Sequence, residues 1–187
     1  MASPDGPAGP SREAQNTQRH ILRLMQKIGV VFVSRRSSLR SILAEACLSH
    51  LADKRFAAHA CGQPGQVARE IHPAAIAALG SAGMALPQVP PLDWNAFVRL
   101  GAPRLDFVIT LDESIESLQP RWPGQPDGAT WPYPDVAAFD DPQDAVRAAT
   151  QLLYSLRRRL ELLVSLPLHG LDRAAVRSDI RDLGTMM

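Results

Sequence analysis

Short apolar runs alternate with segments of helical periodicity along most of the chain. Residues 29–33 and 105–110 are rich in β-branched and other apolar residues, which is typical of strands buried on both faces of a parallel sheet. Residues 56–61 form a weaker run of the same kind. Strands that alternate with helices predict an α/β fold, a three-layer sandwich with a small parallel sheet.

Three segments keep the spacing of a helix with one apolar face. These are residues 42–51, the alanine-rich residues 73–82 and the long stretch from Asp141 to about residue 165. Asp141 is a suitable N-cap because Pro142 follows it at the first helical position. In the last helix one stripe carries the apolar residues, and the triplet Arg157, Arg158 and Arg159 falls mostly off it. We interpret the triplet as a solvated face favoured by the helix dipole; phosphate binding is the alternative.

The pattern divides the chain into four parts. Residues 1–16 are rich in Pro, Gly and Ser and are expected to be disordered, whereas residues 17–28 have the spacing of a short amphipathic helix. Docking of this helix on its own domain is favoured over binding to a partner. Residues 29–166 form the α/β domain, in which the proline-rich residues 120–134 leave room for at most one short strand. Residues 167–187 form a C-terminal extension.

Composition excludes several classes of function. The 187 residues carry a formal net charge of +1, which gives no global attraction to nucleic acid or anionic membranes. No apolar run is long enough to span a bilayer and the N-terminus lacks the pattern of a signal peptide, so a cytoplasmic protein is expected. Basic charge comes almost wholly from arginine and alanine is abundant, which suggests a GC-rich bacterial genome. The sequence leaves a homodimer open.

Two cysteines, Cys47 and Cys61, are the only candidates for thiol chemistry. They do not form a CxxC pair, and two cysteines do not make a disulfide scaffold, so two reduced thiols are expected. No metal site or cofactor is predicted.

The candidate site is residues 34–41, which lie between the first strand and the first helix. Ligands of open parallel sheets gather where a strand ends and a helix begins. A tight loop there directs backbone N–H groups inward and the helix adds its positive end, which suits a tetrahedral oxyanion. Arg40 is placed to bind such an anion with its guanidinium fork.

The same segment resembles the signature of the low-molecular-weight tyrosine phosphatase and arsenate reductase family. That signature is a strand, a cysteine, five residues, then Arg-Ser and a helix with a Met-Ala-Glu-Ala-like start. This chain has the strand at residues 30–33, Ser34, five residues, Arg40 and Ser41, and Leu-Ala-Glu-Ala at residues 43–46. Further matches follow in order: His72-Pro73, residues 106–112, residues 131–135, and residues 166–168 with 171–173.

The resemblance implies a role for each site residue. In the family a cysteine thiolate attacks phosphorus or arsenic, an arginine binds the oxyanion and an aspartate protonates the leaving oxygen. By this resemblance, Arg40 would bind the oxyanion, Ser41 would support the loop and Asp135 would be the general acid. Ser34 occupies the position of the nucleophile. The implied oxyanion-binding residues are Arg35, Arg36, Ser37, Ser38, Leu39, Arg40 and Ser41.

Several departures from the family pattern predict a catalytically impaired member. A serine needs an adjacent general base, and no histidine lies near Ser34 in the sequence. Arg36 and Ser37 stand where the family has glycine and asparagine, whose places take unusual dihedrals. Leu111 and Leu118 lie in the stretch where the thioredoxin-coupled reductases have resolving cysteines.

Three functions therefore stay open. The first is an oxyanion- or phosphate-binding, pseudophosphatase-like module, whose ligand is a phosphate-like oxyanion or a phosphorylated molecule. The second is an active phosphatase or arsenate reductase, which uses an unanticipated nucleophile or in which Ser34 is an engineered replacement of cysteine. The third is an interaction protein that binds an acidic partner through its Arg-rich loop.

Three residues near this site also have plainer roles. Asp135 is either the acid or a turn residue that bonds its own backbone. His72 is favoured as the cap of its helix. Asp112 either supports the site or caps a short helix.

Overall fold

The computed structural model describes residues 26–168 and 173–186, and its centre is a four-stranded parallel sheet. The strands are β1 (Ile28–Val33), β2 (Phe56–Cys61), β3 (Phe107–Thr110) and β4 (Asp127–Thr130), in the order β2-β1-β3-β4. The helices are α1 (Arg40–Ala52), α2 (Pro73–Ser81), α3 (Asn95–Val98), α4 (Pro142–Ser165) and α5 (Arg173–Thr185). Two 3-10 helices, Glu113–Leu118 and Val136–Ala138, lie in the connecting loops. The predicted α/β class with a parallel sheet is confirmed.

Each central strand buries both of its faces, which explains why it reads as an uninterrupted apolar run. In β1, Val30 and Phe32 join the larger core, whereas Val31 and Val33 face the smaller core on the other side. Helices α1, α2 and α4 pack together over the larger core. The opposite face is covered by residues of α3 and its flanks, including Trp94 and Phe97.

The long helix has the predicted start and the predicted apolar stripe. The Oδ1 atom of Asp141 accepts hydrogen bonds from the N–H groups of Gln143 (2.7 Å) and Asp144 (3.1 Å), and Pro142 is the first helical residue. Arg159 differs from the solvated neighbours of its triplet, because only 9% of it is exposed and its guanidinium lies 4.7 Å from the ring centroid of Tyr133. Packing on an aromatic face therefore removes this arginine from solvent.

Three boundaries differ from the sequence prediction. Ile28, assigned to the N-terminal helix by its spacing, is the first residue of β1 because it pairs with Phe56 and donates to the carbonyl of Arg55 (2.8 Å). Helix α1 begins at Arg40, inside the predicted loop. The predicted tail 1–16, and residues 17–25 of the predicted helix, lie outside the described residues.

The C-terminal extension contains a helix that joins the core. Val176, Ile180 and Leu183 of α5 are buried with the larger core, and the indole N–H of Trp131 donates to the carbonyl of Ile180 (2.9 Å). Within residues 26–168 and 173–186, none of the helices has both the length and the apolar character that crossing a bilayer requires.

Candidate functional site

The loop formed by residues 34–39 joins the carboxyl end of β1 to the first turn of α1. Strand β1 lies between β2 and β3, so the strand order reverses at β1. Ligands of open parallel sheets usually bind beyond the carboxyl ends of the strands at such a point. The loop is packed into the protein, since Ser34, Ser37, Ser38 and Leu39 are all at most 5% exposed. A ligand at this place would meet the loop and the positive end of a 13-residue helix.

Carbonyl groups of this loop point outward and are bound by the segment that follows β2. Three N–H groups donate to them: Gln63 to Arg35 (3.0 Å), Ala68 to Arg36 (2.9 Å) and His72 to Ser38 (2.9 Å). By contrast, the N–H groups of residues 35–40 donate to no acceptor among the described residues. Backbone amides that have no acceptor in a loop whose carbonyls are bound elsewhere are donors of the kind that anions accept from.

Ser37 gives the loop its shape. Its φ of 48° lies in the left-handed region, and the residue is fully buried. Gly62, at the end of β2, makes room for it, because a Cβ atom there would lie 2.9 Å from the carbonyl oxygen of Arg35 and 3.1 Å from Cβ of Ser37. Arg36 has no positive φ and its side chain is exposed, so the expectation of unusual dihedrals at both positions is wrong for Arg36.

A chain of serine hydroxyls lies under the loop. The hydroxyl of Ser34 donates to Oγ of Ser41 (2.9 Å), and that of Ser41 donates to Oγ of Ser37 (3.3 Å). No histidine or carboxylate among the described residues bonds to Ser34. The hydroxyl of Ser34 therefore lacks the adjacent base that a serine nucleophile needs.

Arg40, the first residue of α1, is a buried charged residue with 6% exposure. Its Nη1 donates to the carbonyl oxygen of Tyr133 (2.8 Å) and, at 3.5 Å, to that of Leu111; its Nη2 donates to Oδ2 of Asp112 (2.7 Å). Its Nε has no acceptor among the described residues. The two terminal nitrogens of the guanidinium are thus held in place by the protein, whereas Nε is not used by the described residues.

Two carboxylates flank this guanidinium. Burial alone would raise the pKa of Asp112, but hydrogen bonds from Ser114 and the charge of Arg40 outweigh it and hold that pKa below its ordinary value. The Oδ2 atom of Asp135 lies 3.8 Å from Nη2 of Arg40, which is an ion pair but too long for a hydrogen bond. The other oxygen of Asp135 accepts from the N–H of Ala137 (3.2 Å).

The structure brings together the residues that the sequence selected. Ser34, Arg40, Ser41 and Asp135 lie around one loop, and Asp112 both binds Arg40 and caps a 3-10 helix. Arg35 donates to the hydroxyl of Ser114 (2.7 Å), on the loop that carries Asp112.

His72 caps α2 by accepting from the N–H of Ala74 (3.2 Å), as favoured from the sequence. The sequence did not identify the carbonyls of Tyr133 and Leu111 as partners of Arg40, because every residue type carries a carbonyl and no sequence signal marks these two.

The two cysteines are packed in the core and are not placed to replace the missing nucleophile. Both are fully buried free thiols. Burial raises the pKa of Cys47 to about 11 and also raises the pKa of Cys61. The backbone carbonyl of Cys61 accepts a hydrogen bond from the N–H of Ser34 (3.1 Å). A thiol held in its neutral form is a poor nucleophile.

Comparison with known proteins adds independent findings. The family model described as low molecular weight phosphotyrosine protein phosphatase matches residues 29–125, which span the loop and the first three strands. No curated protein matches the chain.

Solved structures with a similar fold cover most of the chain. One, an arsenate reductase in a phosphate-binding state, is 26% identical with a TM-score of 0.58, and the match covers 74% of this chain and 97% of that protein. An arsenate reductase of Archaeoglobus fulgidus DSM 4304 is 21% identical, with a TM-score of 0.54 and coverage of 71% and 98%. The tyrosine phosphatase amsI of Erwinia amylovora is 15% identical, with a TM-score of 0.55 and coverage of 75% and 95%. The last two likenesses concern the fold alone.

Proposed function

The chain belongs to the low molecular weight phosphotyrosine protein phosphatase family, and from that premise we propose that it binds phosphate or a similar oxyanion without performing the family's chemistry. The observation that carries the proposal is the loop 34–39, whose amides at residues 35–40 have no acceptor among the described residues. Unpaired buried N–H groups cost free energy unless something accepts from them. A tetrahedral oxyanion supplies several acceptor atoms within such a loop.

Arg40 adds charge to this donor set. It is almost fully buried, its position is fixed by Asp112 and Tyr133, and its Nε is open toward a ligand as far as the described residues extend. A charge-assisted hydrogen bond is about twice as strong as a neutral one. The related arsenate reductase whose structure is in a phosphate-binding state supports the same class of ligand for this chain.

Ser34 is the reason to propose binding without turnover. The family reaction needs a thiolate at this position, and a serine hydroxyl there has a serine neighbour, Ser41, in place of a base. Cys47 and Cys61 are buried and held neutral. The loop thus keeps donors for the anion and loses the atom that would attack it.

The test measures phosphate binding and turnover on the same protein. Calorimetric titration is expected to give saturable phosphate binding, and phosphate at a hundred times its Kd should stabilise the fold by about 2.7 kcal/mol. Arg40→Lys keeps the charge beside Asp112 but loses the Nε donor and part of the bonding that fixes the side chain, so it should weaken phosphate binding by about tenfold or more. Arg147→Lys, at an exposed helix position paired with Asp144, is the matched control and should leave binding unchanged.

Turnover is followed with an aryl phosphate and, separately, with arsenate and a thiol reductant. Purified, metal-free protein is expected to show no activity above a reaction without protein in either assay. Saturable phosphate binding would be absent if the loop does not hold an anion. Turnover that disappears in Ser34→Ala would instead establish an active enzyme with a serine nucleophile.

A further inference from the structure

Arg159 of α4 is a buried arginine whose charge the described residues use only in part. Its Nη2 donates to the carbonyl oxygen of Met186, just beyond α5, whereas its Nη1 is buried and has no acceptor in the described part of the chain. Burying a charged group with an unused donor costs free energy, and an apolar side chain in such a place is often neutral or stabilising. Stability alone therefore does not explain an arginine at this position.

The guanidinium of Arg159 lies over the ring of Tyr133. The distance from Cζ to the ring centroid is 4.7 Å, and the hydroxyl of the same tyrosine shares a hydrogen bond with that of Ser155 (3.3 Å). Ser155 and Arg159 are one turn apart in α4, so one face of this helix holds the ring at two points. A cation within about 6 Å of an aromatic face is attracted to it, and more strongly where both groups are removed from water.

The backbone of Tyr133 supports Arg40 in turn. Its carbonyl oxygen accepts from Nη1 of Arg40 (2.8 Å), and its N–H donates to the carbonyl of Leu111 (3.2 Å), which lies 3.5 Å from the same Nη1. Asp112 holds the other terminal nitrogen, Nη2, at 2.7 Å. Contacts on two different nitrogens fix the plane of the guanidinium. A shift of the Tyr133 carbonyl would therefore turn that plane, and the direction of Nε with it.

We infer that Arg159 is a positioning residue for phosphate binding, because it holds Tyr133, whose carbonyl orients the guanidinium of Arg40. The inference rests on the proposed function, since it concerns the orientation of Arg40 beside the loop 34–39. Arg159 acts through Tyr133 and not on the anion. Hydrogen bonds weaken steeply as they depart from linear geometry, so a Tyr133 carbonyl that can move lowers phosphate affinity even though Arg40 keeps its charge.

The experiment measures phosphate binding to the full chain by calorimetric titration. Arg159→Met keeps an unbranched side chain but removes the cation from the ring of Tyr133, and it is expected to weaken phosphate binding by about three- to tenfold. Arg159→Lys keeps a cation there and should retain most of the affinity. Arg158→Met, the same change at an exposed neighbour in the same helix, is the matched control and should leave binding unchanged.

A double-variant cycle separates positioning from a general structural effect. In Arg40→Lys the contact from Nη1 to the Tyr133 carbonyl is already lost, so adding Arg159→Met is expected to weaken phosphate binding by less than about twofold more. Tyr133→Leu tests the same link if Arg159→Met does not fold. It keeps the carbonyl but removes the ring, and it should weaken binding by the same three- to tenfold.

Three results would overturn the positioning role and leave the oxyanion site standing. They are unchanged phosphate affinity in Arg159→Met or in Tyr133→Leu, an equal loss in Arg159→Lys and Arg159→Met, and an equal effect of Arg159→Met with and without Arg40→Lys. Absence of phosphate binding by the unaltered protein would instead refute the proposed function itself.

Discussion

At the scale of single residues, the proposed binding without turnover depends on Ser34 and Ser37. Ser34 places a neutral hydroxyl where the family has a thiolate, and its bond to Ser41 uses that hydroxyl within the protein. Ser37 holds the left-handed conformation that shapes the amide loop. A serine there carries a conformational cost, because asparagine enters the left-handed region more readily.

Repair of the nucleophile tests this account. Ser34→Cys alone is expected to give weak phosphatase activity or none. The double variant Ser34→Cys/Ser37→Asn is expected to be about tenfold or more as active as Ser34→Cys, because strain at one residue costs about 1–3 kcal/mol. Adding Arg36→Gly should bring no further gain, because Arg36 has no positive φ. Hydrolysis of an aryl phosphate and absorbance titration of the new thiol measure activity and pKa.

One outcome of that experiment would change the interpretation of Ser34. Full activity and a depressed thiol pKa in Ser34→Cys alone would mean that the loop already has its active shape. Ser34 would then be an isolated or engineered substitution in an otherwise competent site.

At the scale of elements, α5 is held against the edge of the sheet by close backbone contact. Asp127 of β4 forms a salt bridge with Arg177 of α5, with 2.6 Å between Oδ1 and Nη2. The indole N–H of Trp131, just beyond β4, donates to the carbonyl of Ile180 in α5. Gly184 permits this approach, because a Cβ atom at that position would lie 2.3 Å from the carbonyl oxygen of Thr130. Helix α5 is therefore part of the packed domain.

Two glycines in helices provide a matched pair of substitutions. Gly184→Ala should destabilise the protein by about 1–3 kcal/mol, because backbone must move to admit the methyl group. Gly80→Ala, in α2 with nothing within 4 Å of the added Cβ, should stabilise it by about 0.5–1 kcal/mol. Thermal unfolding checks both, with about 2–4 °C expected per kcal/mol. Equal effects of the two changes would show that α5 does not press on β4.

At the scale of the whole molecule, stability is expected to depend on pH through the carboxyl group of Glu45, which is half-buried in α1. Burial raises the pKa of Glu45 from 4.5 to about 7, and no ion pair with the described residues compensates. The folded state therefore holds this proton more tightly than the unfolded state does. The contribution of Glu45 to stability is complete below pH 4.5, is lost as the pH rises toward 7, and stays lost above it.

Glu45→Gln should remove the loss of stability that accompanies ionisation of Glu45. Relative to the unaltered protein, the variant is expected to gain stability between pH 5 and pH 8, on the order of 1–3 kcal/mol. Urea unfolding at several pH values measures the free energy, and Glu116→Gln, at an exposed position, is the control. Parallel pH profiles for Glu45→Gln and the unaltered protein would contradict the assignment.

The sequence by itself determined the two central strands, the long helix and the position of the loop 34–39. Each depends on local information: β1 and β3 are apolar because both faces are buried, and α4 begins where Asp141 and Pro142 cap it. The site residues could be selected because a loop between a strand and a helix, followed by arginine, has a chemical meaning at that place in an α/β fold.

Only the tertiary structure decided what those residues touch. Arg40 is held by Asp112 and by the carbonyl of Tyr133, which lie 72 and 93 positions away in the chain. Neither the direction of a carbonyl nor the distance of 3.8 Å between Asp135 and Arg40 can be read from residue order, because packing of distant loops fixes both. The burial of Arg159 on Tyr133 has the same origin: the helical period predicted an exposed face, and a residue from another loop covered it.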